Sequence, residues 1–228
     1  MIKGVMFDFS GTLFHIESVA EWFDTLRLEL PEAERAACVE RLTTAGALPG
    51  GAPPLQAPDG WGARDVSAEH HRAAYTAQTR TALLPTVGPD RVDALAAELY
   101  ERHQTPGAWR APYADAEPVL KELRRRGIPV AVVSNIGWDP RPIFVHAGLD
   151  QYVDAYVLSF RLKVQKPDPR IFLAACDLLG RPPAEVLMVG DDLPCDGGAT
   201  ALGCAFLKVE PLPVALRRDA LLPVLDLL

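Results

Sequence analysis

Val5-Met6-Phe7-Asp8-Phe9-Ser10-Gly11-Thr12-Leu13-Phe14 is the stretch on which the reading of this chain turns. The apolar run from Ile2 to Phe9 has the composition of a buried strand. Yet it delivers a carboxylate, Asp8, to its tip, followed by a serine, a glycine and a threonine. The same thing happens further along. PVAVVSN stops at Ser134-Asn135 and EVLMVGDD stops at Asp191-Asp192, while YVDAYVLS and CAFLKV are two more apolar runs. Helical stretches separate them: Asp115 to Arg126 ending at Gly127, one around Ile143, and Pro169 to Leu179 ending at Gly180. Nearly continuous apolar strands alternating with helices predict a doubly wound parallel α/β sheet, covered on both faces. Ligands bind such sheets in the crevice outside the carboxyl ends of the strands. Asp8, Ser134-Asn135 and Asp191-Asp192 are therefore expected on one crevice, with Lys166 of QKPDPRIF at the same edge.

Between Leu13 and Trp109 the texture is different. Val19, Trp22, Phe23, Leu26 and Leu30 recur at helical spacing, and Pro31 opens a second helix through Leu42. GALPGGAPPLQAPDG, from Gly46 to Gly60, reads as a loop. Helices are expected from about Ser67 to Leu84 and from about Pro89 to His103, with no strand in the whole block. The predicted organisation is an α/β core from residues 1–14 and 108–228 with a helical cap, 15–107, inserted after the first strand. The tail from Pro211 to Leu228 is expected to end in a short helix.

Composition narrows the function. The 228 residues are 49% hydrophobic and 23% charged, as in a globular protein, and carry a formal net charge of -7. That charge excludes a polycationic nucleic-acid binder, and an anionic substrate must then be met by local cations or a metal. The four cysteines form no metal-ligand spacing and read as free thiols of a cytoplasmic protein. No apolar run reaches the roughly 20 residues that span a bilayer.

Singly, each polar group has a plain explanation: a strand-end Asp is commonly a turn or helix cap, and Lys166 a solvated charge. Acid, hydroxyl, lysine and two more acids in matching topological places are harder to explain that way. With Asp8-Phe9-Ser10-Gly11-Thr12, Ser134-Asn135, Lys166-Pro167-Asp168 and Gly190-Asp191-Asp192 followed by Asp196, the chain resembles the haloacid dehalogenase superfamily, in the branch with a helical cap after the first core strand. The resemblance covers nearly all of the Rossmann-like core.

It implies a Mg²⁺-dependent hydrolase acting on a small phosphorylated metabolite. Asp8 would be the nucleophile, forming an aspartyl-phosphate. Asp8, Asp191 and Asp192, with the main-chain carbonyl of Ser10, would hold Mg²⁺. Asp196 would stand behind them, orienting Lys166, and Thr12, Ser134, Asn135 and Lys166 would complete the catalytic set around the phosphoryl group. Phosphatases of the family carry a second aspartate where this chain has Ser10, and serine cannot shuttle a proton at neutral pH. The alternatives are a slow or non-catalytic binder of a phosphorylated ligand, and a haloacid dehalogenase. His15 and Glu17 read as exposed hinge residues, and His70-His71 as a solvated helix face. Asp139 and Arg141 are candidates for the crevice wall. Arg161 and Lys163 could offset the acidic charge there, or be plain loop charges.

Overall fold

The structure is a computed structural model that describes residues 1–228, except for the side chains of Arg110 and Ala111. In chain order its elements are β1 (Gly4–Phe7), β2 (Phe14–Ile16), α1 (Val19–Asp24), α2 (Glu32–Thr44), α3 (Ala68–Val87), α4 (Pro89–His103), β3 (Trp109–Pro112), α5 (Ala116–Arg125), β4 (Val130–Ser134), α6 (Arg141–His146), β5 (Ala155–Leu158), α7 (Ser159–Leu162), α8 (Pro169–Leu179), β6 (Val186–Gly190), α9 (Leu193–Asp196) and β7 (Ala205–Lys208).

Five strands form a parallel sheet in the order β5-β4-β1-β6-β7. Helices cover both faces, so alternate residues of each strand enter different cores. Val5, Phe7, Val130, Val132, Leu187 and Val189 face one, and Met6, Ala131, Val133, Val186 and Met188 face the other with Ile171, Phe172 and Ala175 of α8. This double burial is why the strands read as unbroken apolar runs. β1 is central, and the chain winds outward from it first through β4 and β5, then through β6 and β7. The point where the winding reverses lies between β1 and β6, where an open α/β sheet places its ligand.

The helical block runs from α1 to α4. Ser18 opens α1 with a reciprocal cap to Glu21, but the helix stops at Asp24, short of the expected Leu30, and Arg27 then sits at φ 50. Pro89 fills the first turn of α4, where its missing N–H costs nothing. Contrary to expectation, the block does contain a strand: β2 pairs antiparallel with β3, Phe14 opposite Pro112 and Ile16 opposite Trp109. The ribbon sits at the expected division points of the chain and ties the two ends of the block together. Phe9, Phe14, Trp109 and Phe144 pack around it with ring centroids 4.3–5.6 Å apart. The expected terminal helix is a single 3₁₀ turn, Leu222–Asp226. Among the described residues no helix is long and apolar enough to cross a membrane.

Candidate active site

Two glycines let three carboxylates meet. Gly11 turns the chain after β1 at φ +78, and a Cβ there would lie 2.6 Å from Asp191 Oδ2. Gly190 ends β6, and a Cβ there would lie 2.1 Å from Asp196 Oδ2. With both positions bare, Asp8, Asp191 and Asp196 each bring a carboxylate oxygen within 4.8 Å of the others.

Lys166 enters this cluster from the loop between α7 and α8. Its ammonium donates to Asp8 Oδ1 and to Asp196 Oδ1, both at 2.6 Å. Asn135, just past β4, holds that loop in register: its Nδ2 donates to the Lys166 carbonyl, and its Oδ1 accepts from the Lys166 N–H. Burial pushes the Asp8 carboxyl up to about 7, with Asp196 and Asp191 adding to the rise and Lys166 opposing it. Asp191 is pushed up to about 6, by burial first and then by Asp196. Burial alone would lower the Lys166 ammonium, but Asp196 and Asp8 outweigh it and raise it. With all three ionised, these buried or half-buried carboxylates against one ammonium would leave two negative charges in excess, which joins burial in pushing Asp8 and Asp191 up. The donors are all hard oxygens, so the set fits a hard divalent cation in charge and in chemistry.

The other expected site residues fall in varied places. Thr12 is fully buried and donates to Asp191 Oδ1 at 3.3 Å, so its hydroxyl orients a carboxylate. Ser134 and Asn135 line the cavity beside Asp8. Asp192 also lines it, but its Oδ1 caps α9 by accepting from the Cys195 N–H, while its own N–H donates to Asp196. Asp196, expected behind the metal ligands, lies within the three-carboxylate cluster as well as on Lys166. The Ser10 hydroxyl donates across the cavity mouth to the Gly50 carbonyl at 3.1 Å, in the proline- and glycine-rich loop. Glu17, expected to be exposed, is buried and accepts from Arg102 at 2.9 Å, and His15 is half-buried. His70 is exposed, but His71 is 3% exposed, which corrects the solvated-face expectation for that residue. Asp139 pairs with Arg141 and with Arg161 in an ion cluster that is not part of the cavity wall, and Lys163 closes α7 in the left-handed region.

Arg217 escaped the sequence reading. The residue is 3% exposed, and its guanidinium stacks 3.5 Å over the Tyr113 ring and donates to the carbonyls of Gly11 and Thr12 at 2.6 Å each. An arginine in a proline-broken tail carries no local signal for such a role.

Above the carboxylates a cavity of about 220 Å³ is roofed by the helical block, with Trp61, Arg64, Tyr75 and His103 among its walls. Several polar contacts seat the block on the core. Ser159 Oγ donates to the Asp65 carbonyl and Gln165 Nε2 to the Gly62 carbonyl, both at 2.6 Å.

A family model described as haloacid dehalogenase-like hydrolase matches residues 2–201. Haloacid dehalogenase-like hydrolase domain-containing protein 3 of Mus musculus is 37% identical over 149 residues, 59% of this chain and 59% of that protein. Glyceraldehyde 3-phosphate phosphatase of Methanopyrus kandleri is 33% identical over 131 residues, 56% of each chain. The chain thus spans less than two-thirds of the length of these two relatives. Among solved structures, L-2-haloacid dehalogenase from Xanthobacter autotrophicus superposes with a TM-score of 0.61 at 26% identity, covering 99% of this chain and 83% of that one.

Proposed function

The chain belongs to the haloacid dehalogenase-like hydrolases, and from that premise we propose that it hydrolyses phosphate monoesters of small metabolites, with Asp8 as the nucleophile and Mg²⁺ as the cofactor. The observation that carries this reading is the convergence of three carboxylates, Asp8, Asp191 and Asp196, on the single ammonium of Lys166, a formal excess of two negative charges when all are ionised. A dehalogenating site that works without metal has no use for such an excess; a metal-assisted phosphoryl transfer does.

Asp8 and Asp191 would hold the ion, with the main-chain carbonyl of Ser10; the Asp196 carboxylate lies in the same cluster, and Asp192 would act through water. The ion would shield the charge of the phosphoryl oxygens and hold Asp8 ionised. The chain's own residues do the rest. An Asp8 carboxylate oxygen attacks phosphorus, the bond to the leaving oxygen breaks, and an acyl phosphate on Asp8 remains. Lys166 steadies the attacking carboxylate and the transferring oxygens, and Ser134 lies where a hydroxyl can donate to them. Water then attacks the acyl phosphate, releasing inorganic phosphate and restoring Asp8. Proton delivery to the leaving oxygen is the step this chain handles differently, because position 10 offers a hydroxyl already bonded to Gly50. Esters with stable leaving anions, such as acyl and aryl phosphates, are accordingly favoured over alkyl ones in the first step.

The test is phosphate release from a panel of monoesters, with Mg²⁺ and after chelation. Turnover that needs the metal supports the reading. Chloride release from 2-chloropropionate without metal would replace it with the dehalogenase reading, which the likeness to the Xanthobacter enzyme favours. Binding of phosphorylated ligands with no turnover at all would replace it with a binding protein.

A further inference from the structure

The tail after β7 inverts the usual rule of burial. Across residues 211–220 only Arg217 is buried, while Leu212 and Leu216 stand 44% and 71% exposed. A segment that shows its leucines to water and hides an arginine is not held there by apolar packing. It is strapped down instead. The Tyr113 hydroxyl donates to the Leu212 carbonyl at 2.8 Å, and Asp115 Oδ2 accepts from the Leu221 N–H at 2.6 Å. Arg217 lies between these two anchors in sequence and reaches the turn after β1.

Its burial there is unfavourable on its own. Among the described residues its guanidinium contacts two main-chain carbonyls and the Tyr113 ring, with no carboxylate, and its buried Nε has no hydrogen-bond partner. Neutral donors could satisfy two carbonyls without desolvating a charge. A guanidinium offers what they do not, a rigid fork that fixes two acceptors relative to each other.

The two gripped residues are also the ones Asp191 stands against. Thr12 Oγ1 donates to Asp191 Oδ1 at 3.3 Å, and Gly11 leaves bare the space in which a Cβ would lie 2.6 Å from Asp191 Oδ2. Both oxygens of Asp191 thus abut the Gly11–Thr12 turn, and the carbonyls of that turn are held by Arg217.

We propose that Arg217 is a positioning residue of the metal site: by fixing the Gly11–Thr12 turn, it sets where the Asp191 carboxylate stands and so how tightly the site takes Mg²⁺. The assignment rests on the metal-dependent reading of the site given above. It places a determinant of metal affinity in a tail that lies beyond residue 201, where the family match ends.

Calorimetric titration of metal-free protein with Mg²⁺, with no substrate present, tests it. Arg217→Met is expected to raise the Kd by about tenfold or more, the scale on which residues that orient a metal ligand act. The Kd is read per folded molecule, so a role confined to stability moves the unfolding midpoint and leaves the Kd at its native value. Arg217→Lys keeps the charge and loses the fork, and is expected to recover little of the affinity. Thr12→Val removes the hydroxyl through which the turn meets Asp191. Because both residues act on one carboxylate, the loss in the Arg217→Met/Thr12→Val double variant is expected to fall well short of the product of the single losses. If Arg217→Met does not fold, Arg217→Gln, which keeps a donor and buries no charge, carries the same expectation. A native Kd in the Met or Gln variant, full recovery in Arg217→Lys, or losses that simply multiply each overturn the positioning role and leave the phosphatase reading intact. Native Mg²⁺ binding with no turnover of any ester overturns only the phosphatase reading, and a native protein that binds no Mg²⁺ overturns both.

Discussion

The floor and the roof of the cavity bury polar groups by opposite rules. On the floor, Asp8, Asp191 and Asp196 crowd around Lys166, every group is ionisable, and the charges do not balance. In the roof, His71 and His103 are held neutral by burial, and the half-buried Arg64 has its charge met by Asp65. A floor with excess charge is matched to a step in which charge moves. A neutral, aromatic roof is matched to recognising shape and hydrogen bonds. The difference separates chemistry from selection, and each half can be broken without the other.

The largest effect is expected from Asp8→Asn, which removes the proposed nucleophile and should take phosphate release to background while the protein stays folded. Residual turnover with phosphate trapped on another residue would dissolve the distinction, since the floor would no longer own the chemistry.

Next in size is Lys166→Met. It strips the counter-charge from two buried carboxylates and should cost about 3–5 kcal/mol of stability in metal-free protein, read by denaturant unfolding. Added Mg²⁺ should restore part of the loss. A cost below about 1 kcal/mol, the scale of an exposed pair, would mean the floor is wetter than its burial implies.

The two ends should also answer pH with opposite signs. Burial first, with Arg64 adding to it, holds His71 down to about 3, below the 6.5 of an ordinary imidazole. The unfolded chain then binds more protons between those values, and the roof loses stability as pH falls from about 6.5. At about pH 5 His71 alone contributes a loss of about 2 kcal/mol. Asp8 and Asp191, raised from 3.8 to about 7 and about 6, bind protons more tightly folded than unfolded, so the floor loses stability as pH rises from about 4 to 7. Metal-free protein should therefore show a melting temperature that varies less across this range than either end alone would impose. Saturating Mg²⁺, by keeping the carboxylates ionised, should leave a melting temperature that climbs with pH. Melts at a few pH values with and without the ion check this, and parallel curves would refute it.

Smallest is Ser10→Ala, which removes the hydroxyl contact to Gly50 where floor meets roof. It should cost about 0.5–1.5 kcal/mol and leave turnover within a few fold. Ser10→Asp is its counterpart. A carboxyl there supplies the proton relay and should speed alkyl phosphates, though it must turn from the Gly50 carbonyl that the serine now faces.

The floor was legible because its residues end strands. A run such as Val186–Gly190, apolar on both faces, announces a central strand, and the polar residue at its tip announces the crevice. Which of two neighbouring acids turns inward was not legible. Asp192 and Asp196 differ through a short helix, α9, whose cap Asp192 becomes, and no spacing rule predicts that. β2 was missed because three residues cannot display a period, and its partner β3 lies beyond the whole helical block. The roof was least legible of all. His103 ends a helix whose pattern is ordinary, and Trp138 sits in a loop; only packing brings their rings together.

Arg217 has a consequence in the order of synthesis. The carbonyls it grips belong to Gly11 and Thr12, 206 and 205 residues earlier in the chain. The turn that follows Asp8 thus leaves the ribosome well before the guanidinium that pins it. A nascent chain that has emerged as far as residue 201, the end of the family match, holds every motif and lacks this clasp. Completion of the turn is thereby deferred until Arg217 has been made.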